Sequence, residues 1–217
     1  MTATVNPREH AVRRAILLNR ITIAWNALEG LVAVAAGLVA GSVSLVGFGL
    51  DSGIEVSAAL VLTWRLAKER DPVCQQRSDD RARRLIALSF AALACYVGVT
   101  ATINLVSANR PDVSVAGIAI ALLSLLVMPL LAADKRRQAT LLGSRAAKAE
   151  AAQTDVCTLL SAALLVGLVA NATLGWWWAD PVAGLGIAAI SAVMAYRTIS
   201  SDALADTCCG PSPVSPN

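Results

Sequence analysis

Charge is what this chain lacks most. Asp, Glu, Lys and Arg make up 15% of its 217 residues, against about 25% in soluble domains. Aromatic residues are scarce, at 4%, and the single histidine, His10, sits in the polar N-terminus. One histidine excludes a bis-histidine haem protein and a His-rich metal enzyme. The five cysteines, Cys74, Cys95, Cys157, Cys208 and Cys209, are odd in number, and two fall in apolar stretches. They make no disulfide framework. The sequence has no GxSxG, HExxH or GxxxxGK[ST], so the common hydrolases, zincins and P-loop enzymes have no starting point. Basic stripes interleaved with aromatics are also missing. The net charge of +3 therefore does not point to nucleic acid as a partner.

What fills the chain instead is apolar. Hydrophobic residues reach 56%, with Ala, Leu, Val and Gly the commonest. This composition predicts an integral, multi-pass membrane protein. Small residues let its helices pack backbone to backbone. Apolar runs long enough to cross a bilayer as helices fall at about 16–40, 45–66, 85–107, 113–133, 149–174 and 181–199. The expected fold is all-α, a six-transmembrane-helix bundle spanning 16–199. Residues 1–15 read as a polar N-terminus and the run after it as a retained first span, since that run is too long for a signal's apolar region and has no small-residue cleavage site at the right place. Residues 200–217 read as a disordered, Pro-rich tail. The charged segment 65–84, broken by Pro72, reads as a solvated loop. Asn109-Arg110-Pro111-Asp112 reads as a tight turn. Trp176-Trp177-Trp178 reads as an interfacial belt, and Asp180-Pro181 as a helix cap.

The bases sort by loop. Of the 18 Lys and Arg, all but Arg110 fall on one side of the six spans. The positive-inside rule puts that side, with both termini, in the cytoplasm. Lys135, Arg136 and Arg137 read as the cytoplasmic end of span four. The expected location is a bacterial-type plasma (inner) membrane.

Acids within the spans are the exception to all this. Asp51 and Glu55 lie near the middle of span two, one turn apart on one helix face. Each costs about 2.5–3.5 kcal/mol at the membrane centre. Acids at that depth face a bundle interior and mark an ion or proton path. The bland alternative is that they are protonated, or paired with Arg or Lys as internal glue. No base is apparent at comparable depth to pair with them. Span one adds Glu29 with Asn26 on its face. Span five adds Asp155, with Gln153 two residues before it and Glu150 as a gateway acid nearer the cytoplasm. Asp51, Glu55 and Asp155 at similar depth cannot all stay ionised without a counter-ion. A divalent cation satisfies them. Its binding expels protons and proton uptake expels it, which is the chemistry of a cation–proton exchanger.

The stretches Gly41-Ser42-Val43-Ser44, Leu50-Asp51-Ser52-xx-Glu55, Gln153-Thr154-Asp155 and Trp178-Ala179-Asp180-Pro181 occur in this order. Together they resemble the cation diffusion facilitator (cation efflux) family over about 16–199. The resemblance implies a homodimeric exporter of a divalent metal ion, mostly zinc, driven by proton influx, with dimerisation through the membrane helices. Carried over by position, Asp51 and Glu55 are the pair on span two and Asp155 is the acid of the His-xxx-Asp on span five. The histidine of that motif falls on Ala151 here. An all-oxygen set admits Mn2+, Fe2+ or Co2+ beside Zn2+. Gln153, Glu29 or Glu150 is expected to fill the gap. The family's cytoplasmic metal-binding domain has no counterpart in these residues, so the chain reads as a transmembrane-only branch, with Cys208-Cys209 as a soft-metal pair or simply two thiols. A secondary transporter is the expected function, not an enzyme. The rival is a membrane metal sensor or assembly partner that binds without transport.

Overall fold

The computed structural model describes residues 7–67, 72–142 and 145–205. Six helices fill them: α1 (Pro7–Ala40), α2 (Val43–Ala67), α3 (Pro72–Val106), α4 (Val115–Leu142), α5 (Arg145–Leu174) and α6 (Ala179–Ala205). No strand occurs among the described residues. All six are long and apolar enough to cross a membrane, so the fold is the expected all-α six-helix bundle.

The helices outrun the apolar runs. α3 begins at Pro72, not near residue 85, so much of the charged segment is helical. Pro72 opens α3, where its missing N–H costs nothing. α4 continues through Pro129 and nine residues past Ala133, to Leu142. α6 runs to Ala205, past the expected end of its span at residue 199. Residues 206–217, with Cys208 and Cys209, lie outside the described residues. Hydropathy marks where a helix leaves an apolar layer. It does not mark where the helix stops, because Arg, Lys and Gln are good helix formers.

Left-handed residues close three helices. Gly41 has φ +66° and lets the Ser42 N–H bond to the Gly37 carbonyl at 3.0 Å, a Schellman closure. Gly175 (φ +66°) ends α5, and Ala108 (φ 51°) ends α3. The α3–α4 turn is then tied down at this end of the bundle. The Asp112 N–H donates to the Ala40 carbonyl at 2.8 Å, and Asn171 Nδ2 to the Pro111 carbonyl at 3.1 Å. The Trp176 and Trp178 rings stack at 5.1 Å, half-exposed beside it.

Helices α1, α2, α5 and α4 form a closed ring, each packed on the next. α3 and α6 pair with one another and lean on α2 and α5 from outside. The main core, with Leu45, Phe48, Met128, Leu160 and Leu164, lies where these layers meet.

The tightest seam is α1 against α2. A Cβ on Gly49 would stand 2.9 Å from both the Gly30 carbonyl oxygen and the Val34 nitrogen. Those are backbone atoms, which cannot swing aside. Gly49→Ala should therefore lower stability by about 1–3 kcal/mol, despite the gain of about 1 kcal/mol in helix propensity. Gly53→Ala, on the same helix with nothing within 4 Å of its Cβ, should be neutral or stabilising. Unfolding midpoints in detergent for the two variants check this. Equal effects would show that the seam has slack.

Candidate cation site

The α1–α2 seam brings a polar stripe into the ring. Asn19, Thr22, Asn26 and Glu29 recur along α1 at helical spacing, and all are at most 1% exposed. The spacing puts them on one face. That face meets α2. Asn19 Nδ2 donates to Thr63 Oγ1 at 3.3 Å, and Gly30 abuts Gly49 and Ser52. The antiparallel register fixed by these contacts puts Asn26 level with Glu55 and Glu29 level with Ser52.

On α2 the expected pair is inside. Asp51 and Glu55 are buried, and so is Glu29. Asp51 and Glu55 stand one turn apart on α2, and the close approach of Gly30 to Gly49 and Ser52 sets Glu29 beside them. Several of their oxygens are buried without a hydrogen-bond partner: both oxygens of Glu29, Oδ1 of Asp51 and Oε2 of Glu55. The side-chain amide of Asn26 is unpartnered at both atoms, as is Nε2 of Gln153. Buried polar groups are normally bonded to protein or water. Such a concentration of orphans in one interior is a place prepared for something polar.

α5 departs from expectation. Asp155 does not join Asp51 and Glu55. Its carboxylate is 37% exposed and takes Arg136 Nη1 at 2.8 and 2.9 Å. The residue one position earlier, Thr154, points inward instead, and Ala151, at the histidine position of the family motif, is fully buried. Successive residues on a helix diverge by about 100°, so turning Thr154 inward turns Asp155 out. Gln153 is buried, with no counterpart to its free Nε2. Among the described residues, no three His, Cys, Asp or Glu side chains stand close enough to hold one ion.

The largest correction concerns Lys135. No base was expected within reach of the acids. Lys135 is instead 4% exposed. Its Nζ donates to Glu150 Oε1 at 2.5 Å and to Thr154 Oγ1 at 2.9 Å, and lies 3.7 Å from Glu55 Oε1. Thr154 Oγ1 in turn donates to Glu55 Oε1 at 2.5 Å. Glu150, read as a gateway acid, is the lysine's anchor. A signal was present in the sequence. Met128, Ala132, Lys135 and Ala139 recur at heptad spacing and are all buried. Lys135 thus continues the inner stripe of α4, while Arg136 and Arg137 fall off it.

Beyond this network of four residues the ring opens slightly. A crevice of about 10 Å³ is lined by Asn19 of α1, Lys135 and Gln138 of α4, and Glu150 of α5. That is room for one water at most. Arg14 Nη2 also bonds Asp134 Oδ2 at 2.7 Å, clamping α1 to α4.

At the other end, Ser42, Ser44 and Asp180 meet. Asp180 is 1% exposed. It accepts from Ser42 Oγ at 2.5 Å, from Ser44 Oγ, and from the Val43 N–H at 3.1 Å. Two of the motifs read separately in the sequence are therefore one contact. The carboxylate expected to cap its own helix serves the start of α2.

In charge terms, five buried acids, Glu29, Asp51, Glu55, Glu150 and Asp180, stand with one buried base among the described residues. Asp180 is fully bonded. The other four surround the ring interior with one ammonium between them. Like charges in such a medium cannot all be carried without further cations or protons.

None of the curated proteins matches this chain. A family model does. The cation efflux transmembrane domain matches residues 20–205, which takes in every buried acid and motif described above. A six-helix membrane bundle with an acid-rich interior, matched over most of its length by that model, belongs to the cation efflux family, the transporters that move metal cations across a membrane.

Proposed function

We propose that this chain exports a divalent transition-metal cation by alternating access, in exchange for protons. Glu29, Asp51 and Glu55 are its cargo ligands, with Asn26 and Gln153 as neutral oxygen donors. The observation that carries the reading is the set of orphaned, buried carboxylate oxygens on α1 and α2. A carboxylate stripped of water and left unbonded is costly. A passing cation relieves that cost on arrival and restores it on departure.

The acids stand apart, and an ion would be held only once α1, α2 and α5 draw them together. That suits cargo, which must be released as readily as it is bound. Oxygen donors favour Mn2+, Fe2+ or Co2+ beside the family's usual Zn2+. Carboxyls must lose protons to bind metal, so the two cations exclude one another, and their titrations are coupled. The basic termini of the spans support an orientation with both chain ends in the cytoplasm. On that orientation the crevice beside Lys135 lies on the cytoplasmic side. A homodimer through the membrane helices is part of the same proposal.

One observation favours a second reading. The Lys135–Glu150–Thr154–Glu55 network supplies the internal glue that a non-transporting metal sensor or assembly partner would need. Reconstituted vesicles separate the two. Zn2+ or Mn2+ uptake against a pH gradient should be readily measured for the natural chain and fall at least tenfold in Glu55→Gln. Saturable binding with no flux in the natural chain would leave the sensor reading standing instead.

A further inference from the structure

We propose that Lys135 is a tethered cation that leans on Glu55 from the α5 side and competes with a divalent ion for that carboxylate. The proposal rests on the transport reading and adds a residue that sets how tightly the cargo is held.

The geometry is asymmetric in a way that suits this role. Lys135 Nζ is hydrogen-bonded to Glu150 at 2.5 Å and to Thr154 at 2.9 Å. Its approach to Glu55 is 3.7 Å, a charge contact too long for a hydrogen bond. The lysine is held by α5 and only leans on α2. Thr154 completes the link, accepting from the ammonium and donating to Glu55 Oε1. One oxygen of Glu55 is therefore engaged from the lysine's side, while Oε2 is buried and free. That free oxygen is the one a metal can take without first breaking a bond.

A metal on Glu55 brings two positive charges within a few ångströms of the ammonium. Both are buried, so solvent screens neither. The ion and the lysine therefore compete. The lysine need not leave its place, because Glu150 and Thr154 already hold it and only its lean on Glu55 has to lengthen. The flexible four-carbon stem of lysine permits that lengthening. The charged groups around Nζ are Glu55 from α2 and Glu150 from α5. α1 presents the neutral Asn19 to the same crevice. Without the ammonium, an ion would bind more tightly and leave more slowly, which is a poor property in a transporter.

A merely structural lysine makes a different forecast, and the sign of the effect separates the two. Equilibrium dialysis of Zn2+ and of Mn2+ against the full chain in detergent reads affinity directly. Lys135→Gln should tighten binding at least tenfold and slow turnover in vesicles. Glu150→Gln, which frees the ammonium to settle on Glu55, should weaken binding by a similar factor. Lys135→Arg should stay near the natural chain. The double variant Lys135→Gln/Glu150→Gln removes both buried charges at once, protecting the fold, and should bind as tightly as Lys135→Gln alone. If either Lys135→Gln or the folded double variant binds no more tightly than the natural chain, the lysine is a structural strut and the proposal is overturned. The transport reading survives that result. If the natural chain itself binds neither ion, both fall together.

Discussion

Glu29→Ala should lower the initial rate of metal uptake into vesicles at least tenfold, while Asp155→Ala should leave it within about twofold. The contrast follows from where each carboxylate points. Glu29 is fully buried on α1, with both oxygens unpartnered beside the acids of α2. Tenfold corresponds to about 1.4 kcal/mol. A charged group bound in a buried site contributes about 1.5–3 kcal/mol, so the loss should be plainly visible. Asp155 is spoken for by Arg136 on a half-exposed face, where an ion pair contributes about 0–1 kcal/mol. The reverse outcome, with Asp155 essential and Glu29 dispensable, would mean that α5 turns during transport, breaking the Arg136 pair and bringing Asp155 to Glu55. Double replacement of Arg136 and Asp155 is then the informative variant. Under the α1–α2 site it should be as active as Asp155→Ala.

The second large effect is on stability. Asp180→Ala should destabilise the bundle by about 3 kcal/mol or more. The carboxylate takes three donors, Ser42 Oγ, Ser44 Oγ and the Val43 N–H, and hydrogen bonds to a charged group contribute about 1.5–3 kcal/mol each, less than additively. It also sits at two positive helix ends at once: the first turn of α6 and the start of α2, whose own cap is Ser42, bonded to the Leu45 N–H at 3.2 Å. Each dipole favours a negative charge there. Removal leaves the Val43 N–H without its acceptor and the two buried hydroxyls with only each other, at 3.4 Å, in place of the carboxylate. Asp180→Asn preserves the shape and loses only the charge, so its cost should be smaller. Unfolding in mixed detergent measures both. An Asp180→Ala variant within 0.5 kcal/mol or so of the natural chain, a difference typical of plain surface changes, would mean that this junction is not what fixes α6 against α2.

Much of this was readable in advance, and the parts that were not share a cause. The apolar runs gave six helices in the right order, because burying a backbone in lipid leaves a helix as the only local solution. Asp51 and Glu55 were placed inside for a similar reason: an acid in such a run is too costly to face lipid. Glu29 followed from its spacing with Asn26. The helix ends were read short, since composition changes at the edge of the apolar layer while the hydrogen-bond ladder continues.

The α5 residues were harder. Asp155 was matched by position to a motif, and motif position says nothing about the rotation of a helix about its own axis. A turn of one residue, about 100°, exchanges Thr154 for Asp155 as the partner of Glu55. The contact of Lys135 with Glu55 was missed for the complementary reason. Counting bases by loop treats three consecutive charges as one end of a helix, though only one of the three continues the buried stripe through Met128, Ala132 and Ala139.

The amino-acid order by itself determined the class of molecule, the number of its spans and the acids that had to be hidden, because each is a matter of what a single helix costs in lipid. Which helices close the ring, which side of α5 faces inward, and that a lysine lies among the acids were decided only by packing. They depend on how far two backbones approach at Gly30 and Gly49 and on how each helix is turned against its neighbours, and neither quantity is a property of one segment alone.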